Sequence, residues 1–371
     1  MKVLIVGAGA SGITTAISIK RRYPNDDITV VEHLDKPLKK ILATGNGRCN
    51  FGNSNININR YSNSSFVEPI LKEYGFQKQL EFFDSISIKH KMIGELAYPM
   101  SESAVSVRNA LLNECEKLGI TINTSENISD YNVGTTISVT TNLKKYEVDK
   151  LVFATGGKSS PNLGSDGSIY ALLKKHGYSI KDIQPGLCPI RTSEKTKELD
   201  GVRVKGTVSL FKDNKLIHQE DGEILFKDHG LSGIVIMNIA SIIARDIHAK
   251  YQIKIDQLKE YSKEKLDKYL TEKGKGNYLQ AFFHPKMIDF IKRANLDTIK
   301  ASKELPFTFE SLDSFEHSQV SVGGLSINNV DKNLMSTLEN NVYFVGEILD
   351  VDGPCGGYNL MWAIGSALYL K

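Results

Sequence analysis

The sequence lacks the features that mark secreted and membrane-spanning proteins. Its four cysteines lie far apart, at positions 49, 115, 188 and 355, and none belongs to a C-x-x-C pair. This spacing fits neither a disulfide scaffold nor a zinc site, and it favours a reducing compartment. No apolar run approaches the ~18 residues that a membrane helix needs. The four apolar residues before the first glycine are also too few for the apolar region of a signal peptide.

Neither sign of charge is in excess. Lysine and arginine total 46 and aspartate and glutamate 43, so the net charge is +3, which gives no general argument for a nucleic-acid partner. The sequence also lacks a P-loop, a Ser/His/Asp arrangement and the spacing of metal ligands. We therefore expect a cytoplasmic protein that acts on a small molecule, without metal or membrane anchor. The sequence leaves the oligomeric state open.

The first 32 residues carry the most specific pattern. An apolar run, Val3–Val6, predicts a buried strand, the glycine-rich turn Gly7–Gly12 follows, and an amphipathic run to Arg22 predicts a helix. A second apolar run ends on Glu32, twenty residues beyond Gly12. This is the spacing of a dinucleotide site, with the pyrophosphate at the helix N-terminus and a ribose hydroxyl on the acidic residue. Alone, it fits NAD and FAD equally.

Two later strands also end in glycine. Leu151–Phe153 leads into Ala154–Gly157, and Val342–Val345 leads into Gly346 and Glu347. Ligands of open α/β sheets sit at the carboxyl ends of the strands, so three such ends favour a long cofactor, namely FAD. Between them, residues 190–225 alternate apolar and polar side chains, which predicts antiparallel β structure, and residues 256–303 are charged and helical.

The predicted fold class is α/β. A Rossmann-like FAD-binding domain, with a parallel sheet and a small antiparallel meander, spans residues 1–186 and 317–371. An insert, residues 187–316, is β-rich over 187–255 and helical over 256–303, and we expect it to cover the flavin. Within the first domain we predict helices over 66–80 and 103–118. The meander strands are predicted at 120–124, 137–141 and 146–148.

Four further segments carry a resemblance to a known family. These are Thr44–Asn50 (TGNGRCN), Tyr98–Ser101 (YPMS), Gly222–Phe226 (GEILF) and Gly346–Leu360 (GEILDVDGPCGGYNL). Together, and in this order, they resemble the aminoacetone oxidase/BaiN-type FAD-dependent oxidoreductases, which have the glutathione-reductase-like FAD-binding fold. The resemblance covers nearly the whole chain.

The resemblance implies non-covalent FAD and assigns residues along it. The pyrophosphate would lie at the first turn, the adenosine ribose at the acidic residue, and the flavin along the remaining turns. The implied cofactor-binding residues are Gly7, Gly9, Ala10, Ser11, Gly12, Glu32, Thr44, Gly45, Asn46, Gly47, Arg48, Asn50, Ala154, Thr155, Gly156, Gly346, Glu347, Asp350, Gly356, Gly357, Tyr358, Asn359 and Leu360.

The insert departs from the family pattern at Lys227-Asp228-His229, where the usual Thr-His pair is replaced and a histidine stands one place later. His229 is the predicted proton-transfer residue, although a structural histidine is the commoner case. The implied activity is hydride transfer between a small organic substrate and flavin N5, by amine oxidation or by C=C reduction. The other partner would be oxygen or a transiently bound NAD(P)H. The alternative is a flavin-dependent protein that modifies or binds tRNA, suggested by the lysine-rich helices at 256–303.

Overall fold

The structure is a computed structural model that describes residues 1–371. It divides into two compact units. The first comprises Met1–Gln184 and Val320–Lys371, and the second comprises Pro185–Gln319. The predicted boundaries, after residues 186 and 316, lie two residues later and three residues earlier than these divisions.

The chain contains nineteen strands and eleven α-helices. The strands are β1 (Lys2–Val6), β2 (Asp27–Val31), β3 (Gly52–Asn53), β4 (His90–Ile93), β5 (Leu96–Pro99), β6 (Thr121–Asn123), β7 (Ile128–Val133), β8 (Ile137–Thr141), β9 (Lys145–Val148), β10 (Lys150–Phe153), β11 (Ile180–Gly186), β12 (Ile190–Thr192), β13 (Arg203–Lys212), β14 (Lys215–Lys227), β15 (Gly230–Ser232), β16 (Tyr251–Asp256), β17 (Leu305–Leu312), β18 (Val320–Leu325) and β19 (Val342–Phe344). The helices are α1 (Ala10–Arg22), α2 (Lys39–Ala43), α3 (Ser64–Tyr74), α4 (Phe76–Ser85), α5 (Ala104–Lys117), α6 (Ile169–Lys175), α7 (Ile234–Ala244), α8 (Lys263–Phe282), α9 (Pro285–Arg293), α10 (Thr298–Lys303) and α11 (Tyr358–Tyr369).

A five-stranded parallel sheet forms the centre of the first unit, in the order β19-β10-β1-β2-β6. Every residue of β10 and all but the first of β1 are buried, as expected of strands covered on both faces. Ile5 pairs with Val152 on one side and with Val30 on the other. This arrangement confirms the predicted Rossmann-like α/β class.

The predicted helix over 66–80 is wrong in its continuity, because α3 and α4 are separate. Gly75 between them is extended (φ −82°, ψ −155°), and a Cβ there would lie 2.2 Å from the carbonyl oxygen of Leu71. Both helices bury apolar residues, Val67 and Leu71 in one and Leu80 and Phe83 in the other. The apolar periodicity therefore runs across the break and conceals it.

The small antiparallel meander exists, but its first strand was assigned wrongly. Residues 121–123 form β6, which pairs with β2 at the edge of the parallel sheet. The meander consists of β7, β8 and β9. Strands β3, β5 and β4, in this order, form another antiparallel sheet, in which β4 and β5 make a hairpin.

A closed antiparallel barrel forms the core of the second unit, with the strand order β12-β15-β14-β13-β16-β17. The hairpin of β13 and β14 turns at Asp213 and Asn214, both with positive φ, where the sequence carries its Lys-Asp-Asn-Lys turn signal. Helices α8 to α10 lie within the stretch predicted to be helical. Closure of the barrel was not predicted from the sequence, because it depends on the pairing of β12 with β17, more than a hundred residues later. None of the eleven helices combines the length and apolar character that a membrane span requires.

Candidate functional site

The three glycine-rich strand ends are neighbours in space. Strands β19, β10 and β1 lie side by side and run parallel, so their carboxyl ends share one edge of the sheet. Backbone hydrogen bonds continue beyond the strands and join the turns: Val345 N–H donates to Phe153 (3.0 Å), Ala154 N–H to Val6 (2.8 Å) and Gly7 N–H to Val31 (2.8 Å). The structure therefore brings these predicted residues together at the edge where α/β proteins bind nucleotides.

The three glycines of the first turn have two kinds of surroundings. Gly7 has φ +103°, and a Cβ there would lie 2.6 Å from the carbonyl oxygen of Ala154. A Cβ on Gly12 would lie 1.9 Å from the carbonyl oxygen of Gly7. Around Gly9, in contrast, a Cβ would meet nothing within 4 Å. Gly7 and Gly12 are thus required by packing inside the protein, whereas Gly9 borders open space that a ligand can approach.

The start of α1 is suited to an anion. Its N-cap is Gly9, which has no capping side chain, and its first turn contains no acidic residue. The first backbone N–H groups of a helix have no partner within the helix, and the macrodipole favours negative charge there. The residues present therefore fit the pyrophosphate of a dinucleotide.

Glu32 is buried at the end of β2, beside the first turn. Its carboxylate accepts hydrogen bonds from the N–H groups of Ala8 (2.7 Å) and Leu34 (3.0 Å), and His33 Nδ1 lies 3.2 Å from it. These contacts orient the carboxylate towards the glycine turn. A carboxylate accepts about four hydrogen bonds, so capacity remains for a ribose hydroxyl.

The second glycine turn is organised by a residue that the sequence did not single out. Ser321 Oγ accepts hydrogen bonds from the N–H groups of Lys158 (2.6 Å) and Ser159 (3.1 Å), and a Cβ on Gly157 would lie 2.4 Å from it. Within the same turn, the hydroxyl of Thr155 is buried without a hydrogen-bond partner. A serine in a strand gives no local sequence signal for such a role.

Glu347, at the third strand end, is held by two partners. Its carboxylate accepts from the N–H of Ser321 (2.9 Å) and from the ammonium of Lys40 (2.9 Å). Lys40 belongs to α2, just before the Thr44–Asn50 turn, so this ion pair joins the turn to the strand end. Lys40 was not among the site residues predicted from the sequence.

Gly346 is fixed by α11. Its N–H donates to Ser366 Oγ (3.0 Å), and Trp362 Nε1 donates to its carbonyl oxygen (3.0 Å). A Cβ on Gly346 would lie 2.6 Å from the hydroxyl oxygen of Ser11 in α1. Trp362 is buried in the core, and its indole N–H binds this strand end.

The Thr44–Asn50 turn has an uncommon backbone. Gly45 (φ 56°), Asn46 (φ 54°), Gly47 (φ 82°) and Cys49 (φ 58°) all have positive φ. A Cβ on Gly45 would lie 2.8 Å from the backbone nitrogen of Asn50. Thr44 caps the preceding helix by donating to the carbonyl of Ile41 (2.6 Å). Local strain of this kind is common where a protein backbone borders a ligand.

The turn that begins α11 is stabilised by side chains. Asn359 accepts from the N–H of Gly353 (2.9 Å) and donates to the Gly353 carbonyl (2.8 Å), which closes the loop. Asn53 donates to the carbonyl of Gly356 (2.9 Å), and the hydroxyl of Tyr61 donates to the carbonyl of Tyr358 (2.7 Å). As in α1, the N-cap is a glycine, Gly357, and no acidic residue follows in the first turn.

Asp350, another predicted residue, is buried and receives hydrogen bonds from the amide of Asn63 on both its carbonyl (2.6 Å) and its carboxylate (3.3 Å). Leu360 lies in the first turn of α11, half-buried. Both positions belong to the first unit and follow the third strand end along the chain.

The side chains of Arg48 and His229 are exposed, and each lies beside a carboxylate. Arg48 is 45% exposed, and its guanidinium contacts Glu102 (3.2 Å) and lies over the ring of Tyr98 (4.8 Å to the centroid). His229 lies in the second unit, at the exposed turn between β14 and β15, with its Nε2 3.1 Å from the Asp228 carboxylate. The first unit therefore brings together the glycine turns, Glu32 and the start of α11, but not His229.

None of the four cysteines forms a disulfide bond. Cys49, in the Thr44–Asn50 turn, is buried, and desolvation raises the pKa of its thiol to about 11. Cys355 is partly accessible. A thiol with a raised pKa is a poor nucleophile, so Cys49 is suited to packing. No group of three or more histidine, cysteine, aspartate or glutamate side chains is arranged to hold a metal ion.

Comparisons with known proteins agree with this geometry. The profile of the HI0933-like protein Rossmann domain family matches residues 1–370. The 3-dehydro-bile acid delta(4,6)-reductase of Clostridium scindens is 30% identical and is aligned over 98% of this chain and 96% of its own. The ribosomal RNA dihydrouridine synthase of Escherichia coli is 26% identical, over 98% of this chain and 95% of its own.

The fold has relatives among solved structures. The 3-ketosteroid delta1-dehydrogenase of Sterolibacterium denitrificans superposes with a TM-score of 0.53 at 10% identity, covering 98% of both chains. This likeness concerns the fold alone. The whole-chain family match and the 30% identical relative confirm the predicted membership: the chain belongs to the HI0933-like Rossmann-domain family and is a BaiN-type FAD-dependent oxidoreductase.

Proposed function

We propose that this enzyme adds hydride to a carbon–carbon double bond that is conjugated with a carbonyl group in a small organic substrate. The observation that carries the proposal is the relative aligned over 98% of the chain, which is named as a delta(4,6)-reductase of a 3-dehydro bile acid. The double bonds in that name are conjugated with a ketone. Of the two activities that the sequence left open, this relative favours C=C reduction over amine oxidation.

The residues of the first unit would hold FAD. The N–H groups at the start of α1 would bind the pyrophosphate, with Gly9 leaving room for it and Glu32 accepting from the adenosine ribose. The turns at 44–50, 154–156, 346–350 and 356–360 would line the rest of the cofactor. Once bound and reduced by the electron donor, the flavin would supply hydride from N5 of its ring.

The start of α11 has an electrostatic task in this proposal. Its first N–H groups are those of a helix whose N-cap is Gly357 and whose first turn is free of acidic side chains. Such a helix end stabilises negative charge placed before it. It would therefore favour the reduced, anionic state of the pyrimidine edge of the ring. The hydrogen bonds of Asn359 and Asn53 hold this turn in place and do not involve the first N–H groups of the helix.

Reduction of a substrate also needs an electron donor and a proton. We propose NAD(P)H as the donor, bound transiently, because the chain has a single G-x-G-x-x-G motif and that motif serves FAD. The proton donor is proposed to be His229, although its exposed turn also suits a structural histidine. Cysteines that form no disulfide bond are typical of a reducing compartment, and we propose the cytoplasm.

Anaerobic spectroscopy tests the proposal. The purified protein should be yellow, should bleach on addition of NADH or NADPH, and should recover its colour when a steroid with a ring ketone conjugated to a double bond is added, with the saturated ketone as product. Amines should not bleach it. A colourless protein that cannot be reconstituted with FAD would overturn the proposal, as would bleaching by amines with no turnover of the enone.

His229→Ala provides a variant for the same assay. It should retain FAD and its melting temperature, because His229 is an exposed turn residue. Loss of a general acid lowers turnover by about a hundredfold or more. Turnover equal to that of the wild type would assign the proton to another group or to water.

A second candidate has its own support. Two relatives, from Escherichia coli and Haemophilus influenzae, are named ribosomal RNA dihydrouridine synthases and align over 98% of this chain at 26% and 25% identity. Dihydrouridine arises from uridine by reduction of a ring double bond conjugated with a carbonyl, so the chemistry would be the same on a larger substrate. The two candidates are distinguished by adding unmodified ribosomal RNA to the bleached protein. Formation of dihydrouridine, measured by mass spectrometry, would favour the RNA substrate.

A further inference from the structure

Two carboxylates lie close together at the third strand end. The side chain of Glu347 is 19% exposed, and Asp350 is buried. Burial raises the pKa of the Tyr170 hydroxyl, and the carboxylates of Glu347 and Asp350 raise it further. The same hydroxyl donates to the carbonyl of Ile348, which lies between them in the sequence (3.2 Å). Negative charge is thus concentrated in the turn that the family motif assigns to the flavin, where it would oppose the charge of a reduced flavin.

The carboxylate of Glu347 is bound to a cation. Its Oε2 lies 2.9 Å from the ammonium of Lys40, and its Oε1 accepts from the N–H of Ser321 (2.9 Å). A carboxylate accepts about four hydrogen bonds, so both oxygens retain capacity for a hydroxyl of the cofactor. Lys40 therefore offsets the charge of Glu347 and leaves the carboxylate able to bind.

Lys40 is held in place by its short helix. The N–H of Leu38, the N-cap of α2, donates to the carbonyl of Ala8 in the first glycine turn (2.9 Å). Leu38 has φ +60°, a conformation that a bulky residue rarely adopts. At the other end of α2, Thr44 donates to the carbonyl of Ile41. Lys40 thus stands on a segment that is bonded to the first glycine turn.

The position of Glu347 also affects the second glycine turn. Ser321, whose N–H binds Glu347, accepts from the N–H groups of Lys158 and Ser159 on its hydroxyl. A Cβ on Gly157 would lie 3.2 Å from Oε1 of Glu347. The ion pair of Lys40 and Glu347 therefore joins all three glycine-rich strand ends of the first unit.

We propose that Lys40 is a positioning residue for the redox reaction of FAD: its ammonium holds Glu347 in the turn that borders the flavin and offsets the carboxylate charge there. The pair favours the reduced, anionic flavin, because a carboxylate without its cation would repel that charge. The inference rests on the placement of FAD in the proposed function and adds a residue that sets the reduction potential. It requires no particular organic substrate.

The neighbouring lysine of the same helix offers a comparison. Lys39 is 28% exposed and Lys40 27%, and each binds one carboxylate, at 2.7 Å and 2.9 Å. The partner of Lys39 is Asp35, which is 64% exposed and stands outside the glycine turns. Two adjacent lysines thus differ chiefly in where their carboxylate lies, so Lys39→Met is a matched control for Lys40→Met.

The reduction potential of the bound flavin tests the proposal without substrate turnover. It is measured on the FAD-loaded protein by stepwise reduction with dithionite in the presence of reference dyes. Lys40→Met should lower the affinity for reduced flavin about tenfold relative to that for oxidised flavin, which makes the potential of a two-electron couple about 30 mV more negative. Lys40→Arg keeps the charge and should restore the wild-type potential, and Lys39→Met should leave it unchanged.

The potential separates this role from a purely structural one. It depends only on the difference in affinity between the two redox states. Loss of a structural contact would lower the melting temperature and weaken the binding of oxidised and reduced flavin equally, so the potential would not move. Restoration by Lys40→Arg together with a shift in Lys40→Met is therefore the expected signature.

Variants of Glu347 test the same pair from the other side. Glu347→Gln removes the carboxylate and keeps Lys40, so the potential should become more positive. The double variant Lys40→Met/Glu347→Gln has neither charge and should lie close to the wild type. If Lys40→Met does not retain FAD, the direction of the shift in Glu347→Gln decides.

Three outcomes would overturn the proposal. They are a wild-type potential in FAD-loaded Lys40→Met, an equal shift in Lys39→Met, and a zero or negative shift in Glu347→Gln. The proposed function fails separately: if the potential responds to Lys40 as expected but the wild-type enzyme does not reduce an enone, the role of Lys40 stands and the reductase assignment falls.

Discussion

Helices α1 and α11 begin in similar ways but are built differently. Each starts at a glycine N-cap without a capping side chain and without an acidic residue in its first turn. The start of α1 is shaped by backbone atoms that approach closely, as at Gly7 and Gly12. The start of α11 is held by side chains, some of which, like Asn53, lie about three hundred residues away in the sequence. A helix start with a glycine N-cap can therefore be encoded by local glycine spacing or by distant hydrogen bonds.

The largest expected effect is that of Gly12→Ala at the start of α1. A Cβ there would lie 1.9 Å from the carbonyl oxygen of Gly7, so the helix must move away from the strand. Forced overpacking of this kind costs about 3 kcal/mol. We expect a lower midpoint of urea unfolding for the protein without FAD, and loss of FAD binding.

Gly9→Ala is the matched variant for Gly12→Ala. Its Cβ meets nothing within 4 Å, so unfolding of the FAD-free protein should be unchanged within about 0.5 kcal/mol. Affinity for FAD should still fall about tenfold or more, since the methyl group occupies the approach of the pyrophosphate. If both variants unfold at the same urea concentration, the distinction between packing glycines and a ligand-facing glycine is wrong.

Glu32→Gln is expected to have the next largest effect. The amide has one acceptor oxygen, so one of the two N–H groups that Glu32 now satisfies, those of Ala8 and Leu34, loses its partner. An unsatisfied buried N–H costs about 1–3 kcal/mol. Fluorescence titration should show weaker FAD binding, and unfolding should occur at lower urea concentration. Retention of both properties would mean that the carboxylate neither orders the turn nor contacts the ribose.

Asn359→Asp makes the corresponding change at α11. Aspartate can still accept from the N–H of Gly353, but it cannot donate to the carbonyl oxygens of Gly353 and Pro354, which now face a negative charge. We expect a cost of about 1–2 kcal/mol and a shifted visible spectrum of the bound flavin. Asn59→Asp, at an exposed position in the same unit, should change neither. An unchanged spectrum in Asn359→Asp would separate this turn from the flavin.

The smallest effect concerns the reactivity of Cys355, in the turn before α11. In the folded protein without FAD, Cys355 should react with iodoacetamide before the other three cysteines, which are buried. Burial raises the pKa of Cys49 to about 11, and those of Cys115 and Cys188 to about 12, so these thiols should react only after unfolding. Saturating FAD should slow labelling of Cys355, as followed by mass spectrometry. Labelling that FAD does not change would place the cofactor away from this turn.

The predictions from sequence were most accurate where the determinants are local. The run of β1, the first turn, α1 and β2 was predicted because apolar runs, glycine spacing and an acidic residue lie within 32 residues. The start of α11 lies within the Gly346–Leu360 segment that carries the family resemblance. The break at Gly75 was missed, because α3 and α4 bury the same type of apolar residues on either side of it.

Residues that act through distant partners were missed or placed differently. Ser321 and Lys40 hold the second and third strand ends, yet neither stands in a recognisable motif. Arg48 is predicted to line the flavin and phosphate path, and the sequence did not indicate that its guanidinium contacts Glu102 and Tyr98. These two contacts depend on side chains that lie about fifty residues further along the chain, so no local pattern indicates them.

By itself, the sequence determined the elements of the parallel sheet and the glycine turns at its edge, because strand burial, turn conformation and helix initiation depend on neighbouring residues. Only the tertiary structure decided which strands became adjacent, how the barrel closed between β12 and β17, and which side chains met at Glu102, Glu347 and Gly346. The physical reason is that these contacts join segments tens to hundreds of residues apart, and no local periodicity specifies which of the possible distant partners will pack together.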